Sequence, residues 1–294
     1  MRIVTFLIVL FSYVLCDAQD LSILQNLKFQ DMKDWKPGMH FYAPTLTARE
    51  KELTSSTELQ HCGQTSKSAE GINSTLVQNK LFTLDSINKD EMYFLSSDKE
   101  CYAFTKTYLR RIPGMFYADE IDTVRKYLIG KTVYTMTTAW GRNDEQGQDK
   151  IATEDTRRYY PVKITAVEWG SLFSGDYRIY FDAKDVPPAF IRAYFSGTNI
   201  SLRKPENYFF NTFSIEDPHK KYKQISAKNW ATIQKAKITI GMTEEECTLA
   251  WDKPIRINET NNTHGKHTQW VYDNNTYLYF DNGILKSSQN LGTQ

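Results

Sequence analysis

Thr243 and Glu246 mark the best-specified helix start in the chain, inside the run Ile240-Gly-Met-Thr-Glu-Glu-Glu-Cys247. In such a capping box the threonine oxygen accepts the amide three residues on, and the glutamate reaches back to the threonine amide. Met242 and Cys247 stand where a hydrophobic staple belongs, and Glu244 and Glu245 place negative charge at the positive end of the helix dipole. Cys247, Ala250 and Trp251 form one apolar face, and Asp252-Lys253-Pro254 stops the helix, because proline disfavours helical backbone before itself. A second helix, capped by Ser226 and carrying Trp230 and Ile233 on one side, is predicted just before it.

Strands follow. Ile255-Arg-Ile257 leads into a polar stretch, Glu259 to Lys266, read as a loop, and His267–Tyr272 and Thr276–Phe280 have strand character. Asn282-Gly283 is a strong hairpin signal, since both residues accept the positive φ of a type I′ turn. If Asn274-Asn275 is also a two-residue turn, Val271 faces Leu278, Trp270 faces Tyr279, and Tyr279 faces Lys286. Opposed residues share a sheet face. Val271, Leu278, Phe280 and Leu285 then form a floor for the helices, and Trp270, Tyr272, Tyr277, Tyr279 and Lys286 form the other face. That second face is too aromatic for idle surface. It is either covered, by the rest of the chain or a second copy, or it is an open recognition surface of the kind Tyr and Trp favour.

The pattern Ile240-Gly-Met-Thr243, Glu245-Glu246, Lys253-Pro254, Gln269-Trp-Val-Tyr272 and Tyr277-Leu-Tyr-Phe-Asp-Asn-Gly283 resembles a helix-helix-sheet module of secreted bacterial proteins. It is similar to the small lipoprotein of the outer-membrane barrel assembly machinery and to the β-lactamase inhibitor protein. The resemblance implies a binding unit whose sheet touches its partner. The chain departs from it at Asp252, where the family usually has a glycine suited to the left-handed helix end. The inhibitor carries two such units, so its inhibitory role does not carry over.

At the other end, Arg2 precedes an apolar run, Ile3 to Leu15, and Asp17-Ala18 then precede Gln19. This is the pattern of a signal peptide over 1–18. Cys16 is preceded by Leu15 rather than a small residue, which disfavours a lipid anchor there. The mature chain keeps Cys62, Cys101 and Cys247, of which the first two are available to pair in an oxidising compartment. A net charge of +1 without a basic stripe argues against nucleic acid as a partner.

Between these ends the strand pattern repeats. Gly38, Phe41 and Tyr42 have counterparts in Gly130, Val133 and Tyr134, and Phe82, Leu84 and Ile87 in Val162, Ile164 and Val167. Each set leads to an alternating strand, Tyr102-Ala-Phe104 and Tyr177-Arg-Ile-Tyr-Phe181. The repetition resembles tandem SH3-like repeats of secreted bacterial proteins. The expected fold is therefore α+β: two small SH3-like β-barrels over 19–111 and 112–221, then an α-α-β-β-β module over 222–294.

Signals for catalysis are sparse. His264-x-x-His267 lacks the third ligand that even a catalytic zinc needs, and no cofactor or metal is expected. A hydrolase using Cys62 or Cys101 with His40, His61 or His219 is the rival reading, and a structural homodimer is a third. Asn73, Asn199, Asn258, Asn261 and Asn274 lie in Asn-x-Ser/Thr triplets, which fit surface loops. The reading that the residues favour is a non-catalytic, secreted or periplasmic cell-envelope protein, with possible outer-membrane association. It would recognise a protein or cell-wall component through Trp270, Tyr272, Tyr277, Tyr279 and Lys286.

Overall fold

The computed structural model describes residues 21–46, 50–51, 59–63, 72–105, 112, 114–143, 149–152, 154–170, 174–200, 204–263, 265–273 and 275–290. The expected signal peptide, Cys16, His264 and Asn274 lie outside the described residues, as does most of the polar stretch before Asn73. The architecture is α+β, with three antiparallel sheets among the described residues. None closes into a barrel, whereas the sequence reading expects two barrels. No helix among the described residues is long and apolar enough to cross a membrane.

The first sheet contains β1 (His40–Ala43), β2 (Gln60–His61), β3 (Lys80–Ile87), β4 (Glu91–Ser96), β5 (Cys101–Thr105) and β6 (Phe116–Tyr117), in the order β2-β5-β4-β3-β1-β6. The second contains β7 (Thr132–Thr135), β8 (Gly141–Asn143), β9 (Asp149–Ile151), β10 (Pro161–Trp169), β11 (Tyr177–Ala183), β12 (Val186–Ala193) and β13 (Phe213–Ser214), in the order β13-β7-β10-β11-β12-β8-β9. Pro187 and Pro188 lie in β12. The third contains β14 (Arg256–Asn262), β15 (Gly265–Val271), β16 (Thr276–Asp281) and β17 (Ile284–Asn290), in sequence order.

The internal repeat is visible in the backbone. In the first sheet, the Gly38 amide donates to Leu84 O at 2.7 Å and the Leu84 amide to Met39 O at 2.8 Å. In the second, Gly130 donates to Ile164 O at 2.8 Å and Ile164 to Lys131 O at 2.9 Å. Both glycines have positive φ, which they adopt without the Cβ penalty. The register shifts just after each acceptor, between Leu84 and Ser86 on β3 and between Ile164 and Ala166 on β10. A bulge bends the strand and sharpens its twist, so a shared bulge gives both sheets the same local curvature. Short strands also close the matching edges, β6 on β1 and β13 on β7.

The chain divides into two compact units, Met1–Lys131 with Lys163–Asp182 and Pro188–Thr212, and Thr132–Val162 with Ala183–Pro187 and Phe213–Gln294. In the first unit, alternate residues of β1, β3, β4 and β5 bury Phe41, Phe82, Leu84, Phe94, Tyr102 and Phe104 in one core. Cys62 and Cys101 are bridged, tying β2 to β5.

A second buried centre in that unit is polar. The helix Asp119–Leu128 buries Ile121, Val124 and Leu128 on one face, and its first turn carries Asp119, Glu120 and Asp122, which complement the dipole. Glu120 is itself buried. Its carboxylate accepts from Tyr177 Oη at 3.0 Å and from Ser196 Oγ. Thr198 Oγ1 lies 2.7 Å from Ser196 Oγ and accepts the Gln30 amide at 3.0 Å. Asn199 accepts the Tyr117 amide at 2.8 Å and donates back to Tyr117 O at 3.1 Å. Asn199 is therefore a buried connector, unlike the surface loop its sequence suggests. Burial pushes the Glu120 carboxyl pKa up, and the Ser196 and Tyr177 hydroxyls pull it back part of the way.

In the second unit, the helices Ala227–Gln234 and Glu244–Trp251 pack on the third sheet. Thr243 and Glu246 form the expected reciprocal cap, at 3.1 and 2.8 Å. Met242 and Cys247 are both buried in the same core. Ser226 caps the preceding helix by accepting the Asn229 amide. The module has four strands rather than three: the polar stretch read as a loop forms β14 and its hairpin with β15.

Candidate binding surface

The parity of one turn decides which side chains the third sheet offers to solvent. Asn282 and Gly283 both have positive φ, and Asp281 pairs with Ile284 and Phe280 with Leu285, as the tight turn requires. The other turn is one residue longer than expected. The Tyr272 amide donates to Thr276 O at 2.9 Å, with three residues between them in the chain, and Asn275 has φ 54°. This is the three-residue hairpin geometry, ending in a left-handed residue. Val271 therefore pairs with Tyr277 and Trp270 with Leu278. A one-residue slip turns a whole strand over.

The slip splits the predicted aromatic face. Trp270 is 4% exposed and lies beneath the helices with Leu278, Phe280 and Leu285, its ring 4.7 Å from that of Phe280. Tyr272 packs edge-on against Trp251 and donates to Asp252 O at 3.1 Å. Only Tyr277 and Tyr279 point away from the helices, both half-buried. Lys286 is exposed but does not oppose Tyr279; the register shift there sets Tyr279 against Ser287.

What the outer face presents is a polar row. Asn258 Nδ2 donates to Gln269 Oε1 at 2.8 Å, Gln269 Nε2 to Tyr279 Oη at 3.2 Å, and Tyr279 Oη to Gln289 Oε1 at 3.0 Å. The row crosses all four strands, one residue from each. Beside it, His267 Nδ1 lies 2.6 Å from Asp281 Oδ1, and Arg256 opposes Val271. Residues tied to one another lose less freedom when a partner binds. The amides keep hydrogen-bonding capacity beyond these bonds, because each carboxamide has two N–H donors and an acceptor oxygen. The sequence carries this signal as Asn, Gln, Tyr and Gln on four strands, legible only once the register is known.

A cleft of about 410 Å³ also lies in this unit, between the helix face Ala227, Trp230, Ala231 and Gln234 and the segment His219–Ile225. The His219 ring sits 4.2 Å from the Trp230 ring and its Nδ1 lies 3.0 Å from Asp217 Oδ1. The residues ahead of this helix thus form one wall of the cleft.

The thiols of the rival hydrolase reading are committed elsewhere. Cys62 and Cys101 are bridged, and Cys247 is fully buried, its pKa pushed up to about 12 by burial and by the nearby Glu246 and Glu244 charges. A thiol with a raised pKa is a poor nucleophile because the thiolate is the reactive form. His40 pairs with Asp119 at 2.8 Å, and His61 packs on Tyr102. Among the described residues, no three His, Cys, Asp or Glu side chains gather as a metal site requires.

No known protein family, curated protein or solved structure matches this chain.

Proposed function

We propose that this chain is a secreted, non-catalytic binding protein of a bacterial cell envelope. Its C-terminal sheet holds a protein or cell-wall partner on the outer face, with Asn258, Gln269, Tyr279 and Gln289 as the contact row. The observation that carries this reading is the row itself: four hydrogen-bonding side chains, one per strand, linked in advance into a single line. Tyr277 and Arg256 on the same face add a ring and a charge of the types enriched at binding hot spots. The Cys62–Cys101 bridge supports secretion, since such bonds persist in oxidising compartments. The bulge shared by β3 and β10 supports kinship of the repeated halves with SH3-like repeats, as opened sheets.

Capture from envelope extract with the full chain tests the reading. Gln269→Ala together with Tyr279→Ala is expected to abolish capture while the melting temperature stays nearly unchanged. Undiminished capture by this double variant overturns the assignment of the face.

A further inference from the structure

The two edges of the third sheet are built differently. On β17 the register shifts at Lys286, which is left without an opposed residue and exposed. A bulge and a lysine are the standard means of keeping a foreign strand off a sheet edge. The predicted contact residue Lys286 is thus placed as a guard. On β14 there is neither a bulge nor a lysine, and of its two charged residues, Arg256 and Glu259, the second is paired with Lys266. All seven residues from Arg256 to Asn262 pair with β15 without a shift, all seven are exposed, and none is lysine or proline. Ile257 is 50% exposed and Ile255, just before the strand, 71% exposed.

We propose that β14 is a docking edge for a second copy of this chain. The two β14 strands pair antiparallel about a two-fold axis at Asn258, joining two four-stranded sheets into one of eight. The register follows from chemistry. Directly opposed residues share a sheet face, so a two-fold axis through the strand pair sets one residue against itself. An axis at Glu259 opposes two carboxylates, which is unfavourable. An axis at Ile257 sets Arg256 against Asn258 and interrupts the amide row. An axis at Asn258 sets Arg256 against Thr260 and Ile257 against the aliphatic stem of Glu259, whose carboxylate is held by Lys266 at 2.5 Å. No like charges meet.

Asn258 then faces its own copy. A carboxamide carries both donors and an acceptor, so it complements itself. Asn258 spends one N–H on Gln269. The polar row then runs without a break from Gln289 of one chain to Gln289 of the other. A net charge of only +1 per chain leaves little long-range repulsion to oppose association. This inference rests on the edge and not on the contact face, so partner capture can fail while the pairing stands.

The test uses the full chain in four forms, followed by sedimentation equilibrium and non-reducing electrophoresis. The unaltered chain is expected to dimerise as its concentration rises, and Ile257→Lys, which puts a charge on the edge, to weaken the dimer at least tenfold. Opposed side chains in an antiparallel pair lie about 5 Å apart at Cβ, close enough to bridge. Asn258→Cys is therefore expected to give a disulfide-linked dimer on air oxidation, and Asn261→Cys, on the same strand but away from the axis, to stay unlinked. A monomer at every concentration overturns the proposal. So does a dimer indifferent to Ile257→Lys, or equal cross-linking at positions 258 and 261.

Discussion

Arg158 grips Asp252 with both ends of its guanidinium: Nη1 lies 3.0 Å from Oδ2 and Nη2 2.5 Å from Oδ1. The same Nη1 donates to Ala250 O at 2.9 Å, a carbonyl in the last turn of the helix Glu244–Trp251. A cation there answers both the unpaired carbonyls and the negative end of the dipole. Asp252 has φ 64°, a backbone that favours glycine, so its carboxylate is kept at a conformational cost.

Two substitutions at this position separate the effects. Asp252→Ala loses the charged hydrogen bonds and keeps the backbone strain, for an expected loss of about 2 kcal/mol. Asp252→Gly loses the same bonds but relieves about 1 kcal/mol of strain. Chemical denaturation is expected to rank the unaltered protein first, glycine second and alanine last.

Trp270 and Tyr279, which one sequence pattern would group together, are expected to behave as opposites. Trp270→Ala opens a cavity under the helices and costs about 3–5 kcal/mol, read as a large drop in melting temperature. Tyr279→Ala removes a half-exposed ring and leaves stability nearly unchanged. Equal losses at the two positions would mean that the sheet faces are wrongly assigned.

Acidity is expected to favour the first unit. Burial raises the carboxyl pKa of Glu120 in the folded state. A raised folded pKa gives stability that is complete below the unfolded value and is lost as pH rises through the folded one. Asp176, also raised by burial, acts in the same direction. The melting temperature should therefore fall between mildly acidic and neutral pH, and Glu120→Gln should flatten that slope without removing the Asp176 share.

Thiol chemistry should divide the cysteines cleanly. Without denaturant or reductant, the folded protein freed of the expected signal peptide, and so of Cys16, should react negligibly with an alkylating reagent, because Cys62 and Cys101 are bridged and Cys247 is buried. Replacing both Cys62 and Cys101 by serine opens a loop with a sequence separation of 39. The chain-entropy cost is about 4 kcal/mol, measurable by denaturation.

Local signals in the sequence were accurate wherever a few adjacent residues set the geometry. The Thr243–Glu246 cap, the Ser226 cap and the Asn282-Gly283 turn all stand as read. The glycine-anchored repeat was legible too, because Gly38 and Gly130 mark the same backbone need in each copy. The contact face was not. Its composition depended on whether Asp273 belongs to strand or loop, a choice that two adjacent asparagines leave open. The strand β14 was missed because Asn, Glu and Thr at an exposed edge give no alternation to detect. The Glu120 cluster draws on Gln30, Tyr177, Ser196 and Thr198, which only the tertiary fold brings together.

Two versions of one strand pattern on a single chain invite exchange, in which a segment from one half inserts into the other during folding. The covalent link at Cys62 breaks the symmetry of that contest. Once it closes, β3 and β4 lie within a covalent loop from Cys62 to Cys101, and no equivalent bridge constrains their counterparts in the later half among the described residues. Refolding under reducing conditions is therefore expected to yield more exchanged, aggregated material than refolding with the link intact.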